Sequence, residues 1–167
     1  NNQWVAADDG ASISVSNPAT EEMVGLVSAA SAGQAVHACD VAAAAQRAWR
    51  KLTSIERGNH LHNLAHALEA RKAAIGQALA LESGKSLEDA TNEVVYAAEV
   101  THYHAEWARR IEGEIIPSDS PSENLMLHRE PMGVVACLIP FNYPVYTLLR
   151  KIAPALITGN TVVVRPS

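Results

Sequence analysis

Asn142 is the residue whose type and position best suit chemistry, because it stands between an apolar run and a segment of helix length. An asparagine at the start of a helix can direct its side-chain NH₂ beside free backbone N–H groups, and such donors stabilise a developing oxyanion. The same residue can instead cap the helix. Spacing alone leaves both interpretations open.

Histidines form a second group with chemical potential. His62 and His66 are four residues apart on a predicted helix, the spacing of a two-histidine metal site, and His102 and His104 lie further along. No acidic residue accompanies the pair as in HExxH, so we expect a solvated helix face and no bound metal. A histidine-based metal-binding helical protein remains the alternative.

The elements that must position Asn142 are two apolar runs, residues 134–139 and 161–164, with a helical segment between them. Runs of this kind are typical of buried parallel strands. Strand, helix and strand together predict a βαβ unit with parallel strands. Ligands of open α/β sheets bind beyond the carboxyl ends of the strands, which here are residues 140–143 and 165–167.

The remaining chain is predicted to be helical between two ribbons. Residues 13–27 alternate as a β-hairpin does, and residues 114–130 have two short apolar strands around a tip rich in serine, proline and asparagine. Residues 31–113 are rich in alanine and other helix formers. The predicted helices begin at Ser31 with a capping box to Gln34, at Ser54 and at Ser86. Either the helix from Ser54 or a successor that starts near Arg71 is expected to end before Gly84. The last is expected to run to Gly113 with an apolar face made of Ala90, Val94, Ala97, Tyr103 and Trp107.

Composition excludes several classes of protein. The 167 residues are 48% hydrophobic and 19% charged, as in globular proteins. A net charge of −5, from 13 basic and 18 acidic residues, argues against a nucleic-acid binder, and the longest apolar stretch falls short of the roughly 20 residues of a membrane helix. Cys39 and Cys137 form no CxxC, so we expect a soluble protein of the reducing cytoplasm.

A two-stranded parallel sheet cannot cover itself, so we also expect the front part of a larger α/β protein.

The last third of the chain resembles the aldehyde dehydrogenase superfamily. EPMGVVACLIPFNYPVYTLLRKIAPALITGNTVVVRPS is similar to the opening of that family's cofactor domain, and the segments AEWARRIEGEII and NPATEE extend the similarity along essentially the whole chain. The lactaldehyde and glycolaldehyde dehydrogenase branch is the most similar. The resemblance implies an α/β fold with an N-terminal helical segment, the start of a parallel Rossmann-like sheet and a protruding β-hairpin oligomerisation arm.

The resemblance also implies a division of the chain. Residues 1–113 would be the N-terminal part of the cofactor-binding domain, 114–132 the oligomerisation hairpin, and 133–167 the first βαβ unit of the dinucleotide fold. The hairpin implies a homodimer or homotetramer. The family's nucleophilic cysteine and general-base glutamate lie downstream of these residues, so the segment alone is expected to be inactive. A non-catalytic oligomerisation or interaction module is the alternative.

Roles for individual residues follow from the same resemblance. Asn142 matches the oxyanion-hole asparagine, and Lys151 matches a lysine linked to proton movement. The residues matching the cofactor site are Ile139, Pro140 and Phe141 along the dinucleotide, and Arg165, Pro166 and Ser167 near the adenosine ribose. The residues matching the wall of the substrate tunnel are Tyr143, Thr147 and Arg150.

The implied reaction oxidises a small, hydroxylated aldehyde to its carboxylic acid through a cysteine thioester, with NAD as cofactor and NADP as the alternative. Three residues depart from the family pattern. Phe141 replaces a tryptophan and keeps an apolar wall. Tyr143 replaces a phenylalanine and adds a hydroxyl, which favours a polar substrate. Arg165 replaces a lysine with a planar fork of donors and leaves the choice between NAD and NADP open.

Overall fold

The computed structural model of this chain describes residues 3–167. Within them, a ribbon, a group of helices, a second ribbon and a βαβ unit follow one another, which confirms the predicted α/β order. The helices are α1 (Ala32–Trp49), α2 (Ser54–Ala70), α3 (Lys72–Ser83), α4 (Leu87–Ala105) and α5 (Pro144–Ile157), with a 3₁₀ turn at Glu106–Arg109. The strands are β1 (Ser12–Ser16), β2 (Met23–Ser28), β3 (Glu114–Ile116), β4 (Leu125–Leu127), β5 (Val134–Leu138) and β6 (Thr161–Arg165). Across this described part, no helix is long and apolar enough to cross a membrane.

Helix α4 is the centre of the helical part and packs against α2, α3 and α5. Its inward face is made of small side chains that are completely buried, and these are Ala90, Val94, Ala97, Ala98 and Thr101. Alanine loses no side-chain entropy on burial and lets neighbouring helices approach closely. A core between α2, α4 and α5 closes over Leu61, Ala105, Ala153 and Ile157.

Two of the predicted helix boundaries need correction. Ser31 and Gln34 form the predicted capping box, but α2 is capped by Thr53 rather than Ser54. Hydrogen bonds from the backbone N–H and hydroxyl of Thr53 lower the pKa of Glu56, its partner in this second box. Threonine and serine both cap helices through their hydroxyls, so the residue type did not distinguish these neighbouring positions.

The expected course of α4 is also wrong at its end. The α-helix stops at Ala105 and tightens into the 3₁₀ turn instead of continuing to Gly113. Tyr103 and Trp107, predicted on the apolar face, are 57% and 38% exposed. The buried stripe runs through Thr101 and Ala105, four residues apart, and this phase turns Tyr103 away from the core.

Strands β5 and β6 pair in parallel, from Val134 opposite Thr161 to Leu138 opposite Arg165, with α5 as the crossover. The predicted βαβ unit is therefore confirmed. The expectation that both strands are buried on two faces is wrong within residues 3–167, where Cys137 is the fully buried residue of the pair. Helices α1 and α5 contact both strands but leave much of their surface open.

Both ends of α5 are held by side chains from the helical part. At its start, the buried Glu93 carboxylate of α4 accepts the backbone N–H groups of Val145 and Tyr146 at 2.8 and 3.1 Å. At its end, the buried Arg57 of α2 donates to the Ile157 carbonyl at 2.9 Å, and Trp49 donates to the Leu156 carbonyl at 3.0 Å. A negative charge at the N-terminus and a positive one at the C-terminus complement the helix dipole.

The two predicted ribbons are both present. β1 and β2 are antiparallel around the turn that begins at Asn17, whose side-chain oxygen accepts the N–H of Ala19 at 2.9 Å. β3 and β4 are antiparallel with Ile115 opposite Met126. Both of these apolar residues are largely exposed. The pair leaves apolar surface of the second ribbon open to solvent.

We expect Gly76→Ala to lower the free energy of unfolding by about 1–3 kcal/mol, although alanine is the better helix former. Gly76 is buried on α3 at its closest approach to α4, and a Cβ there would lie 2.6 Å from Oγ1 and 3.0 Å from Cα of Thr91. The backbone of α4 cannot yield as a flexible side chain would. Urea unfolding of the intact protein measures the change.

The matched control is Gly33→Ala on α1, where a Cβ meets only the Ser31 hydroxyl oxygen at 3.7 Å. We expect this variant to be unchanged or stabilised by up to about 1 kcal/mol. Equal stability of the two variants would show that the α3–α4 contact does not depend on the glycine.

Candidate functional site

The carboxyl ends of β5 and β6 lie side by side, as the parallel register requires. The N–H of Ile139 donates to the Arg165 carbonyl at 3.1 Å, so the segments 139–141 and 165–167 leave the sheet at the same edge. All six predicted cofactor residues therefore share one edge of the sheet. Five of them are exposed there, whereas the Ile139 side chain is buried and leaves its backbone as the contact surface.

Lys151 lies close to this edge. It is an exposed residue of α5 whose ammonium donates to the carbonyl of Leu138, the last residue of β5. Cys137 precedes that residue and is buried, and burial raises the pKa of its thiol, although the nearby Lys151 charge opposes the shift. A buried, protonated thiol is a poor nucleophile.

A cavity of about 530 Å³ lies between α4 and the first turns of α5. Four of the predicted site residues line it, and these are Asn142, Tyr143, Thr147 and Arg150. The structure thus brings the predicted oxyanion residue and the three predicted substrate residues to one space.

The other wall of the cavity was not anticipated from the sequence. It consists of Tyr96, Glu99, Val100 and Tyr103 from α4, together with Tyr146 from α5. Tyr96, Val100 and Tyr103 follow the i, i+4, i+7 spacing of one helix face, and this stripe was the available signal. All four tyrosines of the chain line this cavity.

The start of α5 excludes one interpretation of Asn142 and corrects part of the other. The N-cap position belongs to Tyr143, one residue later, so Asn142 is not the helix cap. The helix N–H groups expected to act alongside its amide are also committed, because Glu93 accepts those of Val145 and Tyr146. A carboxylate from α4 therefore occupies the anion-binding N–H groups at this helix terminus, and the side-chain amide of Asn142 is a separate donor.

Lys85 links this carboxylate to Asn142. Its ammonium donates to Oε2 of Glu93 at 2.5 Å and to the Asn142 carbonyl at 3.0 Å, and it lies 4.6 Å from the centre of the Tyr143 ring. The Glu93 side chain is fully buried and that of Lys85 is largely so. This ion pair and its hydrogen bonds fix the backbone on which the Asn142 amide stands.

The histidines singled out by their spacing lie elsewhere, along the contact between α2 and α4. His62 and His66 are joined there by His102 and not by His104. His104 packs against the Tyr103 ring, and burial lowers its pKa. The cluster contributes no residue to the lining of the 530 Å³ cavity.

The sequence and fold of the chain match those of known enzymes. The model of the aldehyde dehydrogenase family matches residues 4–167. Lactaldehyde dehydrogenase of Escherichia coli K12 is 41% identical over 165 residues, which are 99% of this chain and 34% of that protein. The chain thus spans about a third of the length of the curated relatives it matches.

Solved structures agree with this match. The crystal structure of lactaldehyde dehydrogenase from Escherichia coli has a TM-score of 0.92 at 42% identity, covering 94% of this chain and 33% of that one. The structure of an NADP-dependent glyceraldehyde-3-phosphate dehydrogenase from Bacillus halodurans, complexed with NADP, has a TM-score of 0.94 at 37% identity. The match covers 100% of this chain and 36% of that one. With the family model spanning nearly every residue and the fold superposing on such enzymes, this chain belongs to the aldehyde dehydrogenase family.

Proposed function

We propose that this chain contributes the oxyanion residue, part of the substrate wall and the first cofactor-binding strands to an enzyme that oxidises a small hydroxylated aldehyde to its carboxylic acid with NAD or NADP. The observation that carries the proposal is the convergence of Asn142, Tyr143, Thr147 and Arg150 on one cavity beside the carboxyl ends of β5 and β6. Family membership supports the reaction class.

The chemistry assigned to Asn142 is electrostatic. In the proposed reaction, a cysteine thiolate outside these residues attacks the aldehyde carbon, and the carbonyl oxygen becomes an oxyanion. The Asn142 amide donates to that oxygen, and Lys85 keeps its backbone in place. The tetrahedral adduct then loses a hydride and becomes a thioester, which water cleaves to the acid and the free thiol.

The residues that would hold the cofactor are those at the edge of the sheet. When bound, a nicotinamide dinucleotide supplies the hydride acceptor. Phe141 offers an exposed apolar side chain and Arg165 an exposed guanidinium at adjacent strand ends, a combination that fits an adenosine ribose with a phosphate nearby. Lys151 would orient the first strand end by holding the Leu138 carbonyl and would assist proton movement.

The composition of the cavity supports a hydroxylated substrate. Four phenol groups line it, and each hydroxyl can both donate and accept a hydrogen bond. Glu99 and Arg150 place one charge of each sign in the same lining. A neutral aldehyde carrying hydroxyl groups finds partners throughout this wall, whereas an alkyl chain would leave them unpaired.

We also propose the division of the chain into residues 1–113, 114–132 and 133–167, of which residues 1 and 2 lie outside the described part. The ribbon β3–β4 acts in this scheme as an arm that pairs with a second copy of the protein in a homodimer or homotetramer. Two-stranded ribbons are marginal on their own, and this one exposes Ile115 and Met126 to solvent. In a second copy, an added strand would pair with the open edge, and the surface beside that strand would cover the apolar side chains.

We place the protein in a reducing compartment such as the cytoplasm. Cys39 is exposed and Cys137 is buried, and both are free thiols. An exposed free thiol is retained most readily where glutathione and thioredoxin keep cysteines reduced.

Substrate selection tests the proposed function directly. We expect the intact protein to oxidise glycolaldehyde or lactaldehyde with kcat/KM at least about tenfold above that for hexanal, as one additional hydrogen bond would give. Tyr143→Phe removes only a hydroxyl, and we expect it to lower kcat/KM for glycolaldehyde while leaving hexanal unchanged. NADH or NADPH absorbance measures the rates, and a preference for hexanal would contradict the assignment.

The role of Asn142 is tested by Asn142→Ala in the intact protein. Because the variant lacks an oxyanion donor, we expect kcat to fall by roughly 10²- to 10³-fold, with cofactor affinity nearly unchanged. Single-turnover rates measure the loss at the chemical step, independently of cofactor release. An unaltered single-turnover rate would rule out the oxyanion role.

The positioning role of Lys85 is part of the same test. Lys85→Met should lower kcat in the wild-type background and change it far less in the Asn142→Ala background, because the lysine acts through the asparagine. Lys72→Met, an exposed lysine of α3, is the matched control and should leave kcat unchanged. If the effects of the Lys85 and Asn142 substitutions on kcat are additive, Lys85 does not act through Asn142 and has only a structural role.

The arm is tested by the mass of the protein in solution. We expect Met126→Asp or Ile115→Asp to shift the intact protein towards a smaller species in sedimentation velocity, because a carboxylate would be buried against the partner strand. Met23→Asp places the same charge on an exposed position of the other ribbon and should leave the mass unchanged. An identical mass for all variants would remove the ribbon from the interface.

A further inference from the structure

The contact between α2 and α4 carries a cluster of histidines and glutamates that the proposed function does not use. His62, His66 and Glu69 follow one another along one face of α2, and His102 and Glu106 lie opposite them. Beneath the cluster the helices meet through Ala65 and through Ala98 and Thr101, which are completely buried. Small residues at this contact bring the side chains above it close together.

Three of these residues hold their potential metal-ligating atoms close together, as the ligands of one ion would be. One ligand atom each from His66, Glu69 and His102 lie within 4.8 Å of one another. His102 Nε2 is 3.6 Å from Glu69 Oε1, which is longer than a hydrogen bond. Two ligands about 2.0–2.1 Å from a tetrahedral Zn²⁺ are separated by about 3.3–3.5 Å, close to this distance.

The orientation of the His102 ring is fixed through its other nitrogen, Nδ1. Its Nδ1 lies 2.7 Å from Nδ1 of His62, and Nε2 of His62 lies 3.2 Å from Oε1 of Glu106. A proton on Nε2 of His62 and one on Nδ1 of His102 satisfy both contacts. His102 Nε2 then presents a lone pair towards Glu69 and His66. Metal-bound histidines are commonly supported in this way, through a second hydrogen bond that fixes the ring.

We propose that His66, Glu69 and His102 form a binding site for a divalent transition-metal cation such as Zn²⁺, with His62 and Glu106 orienting the His102 ligand. Two imidazole nitrogens and one carboxylate oxygen suit Zn²⁺ rather than Mg²⁺ or Ca²⁺, which prefer oxygen ligands. Because His66 and Glu69 are exposed, solvent completes the coordination shell. The bound ion joins α2 to α4.

Two competing arrangements of the cluster differ from the proposed site in the residues they require. His62 and His66 alone, four residues apart on α2, could chelate a metal without α4. A proton on His102 could instead pair with Glu69 and leave no cation site. Chelation by the α2 pair requires His62 and ignores His102, whereas the proposed site requires His102 and Glu69 as ligands.

The experiment is a calorimetric titration of Zn²⁺ into the intact, untagged protein after treatment with a chelator. We expect one saturable site per chain, a rise in Tm on binding, and no competition by Mg²⁺. His102→Ala should abolish saturable binding, Glu69→Gln should weaken it by at least about tenfold, and His62→Ala should weaken it without abolishing it. His37→Ala on α1 is the control and should bind as the wild type does.

Several outcomes would overturn the proposal. These are the absence of saturable uptake by the wild type, full binding by His102→Ala, and loss of binding in His62→Ala equal to that in His102→Ala. Should His102→Ala fail to fold, Glu69→Gln at an exposed position still separates the proposed site from the α2 pair. None of these measurements depends on enzymatic activity, so failure here is distinct from failure of the proposed function.

Discussion

The fixation of both ends of α5 by buried side chains of opposite charge is the interaction on which the rest of this structure depends. Glu93 from α4 accepts the first N–H groups of the helix, and Arg57 from α2 donates to one of its last carbonyls. Both side chains are buried, and a buried charge without hydrogen-bond partners is costly. Each side chain therefore requires the end of α5 that supplies its partners to stay in place. Burial also lowers the pKa of Arg57, because the charged guanidinium loses its hydration. Its hydrogen bonds to main-chain carbonyls offset this cost.

This fixation connects the helical part of the chain to the candidate site. α5 begins immediately after the Asn142-Tyr143 pair, and α4 supplies both the carboxylate at its start and one wall of the cavity. A displacement of α4 would therefore move the helix start and the cavity wall together. Lys85 extends the same network to the Asn142 carbonyl, so the loop between β5 and α5 is supported by residues distant in sequence.

Much of the architecture could be predicted because local interactions dictate it. The capping box of Ser31 and Gln34, the end of α3 at Gly84 with its positive φ, and the strand–helix–strand pattern of residues 134–165 all depend on neighbouring residues. Errors occurred where local signals were degenerate, as at Thr53 and Ser54. They also occurred where the phase of the buried stripe was set by another helix, as at Tyr103.

The sequence by itself therefore determined the elements, their order, and the placement of Asn142 and the strand ends at one edge of a parallel sheet. Tertiary packing alone decided that Glu93, 52 residues before Val145, takes the N–H groups predicted to be free. It also decided that tyrosines of α4 and α5 share one cavity and that His66 meets His102. The physical reason is that these contacts arise between surfaces of separate helices. Their distances depend on how closely alanine and glycine let the helices approach, which no local pattern encodes.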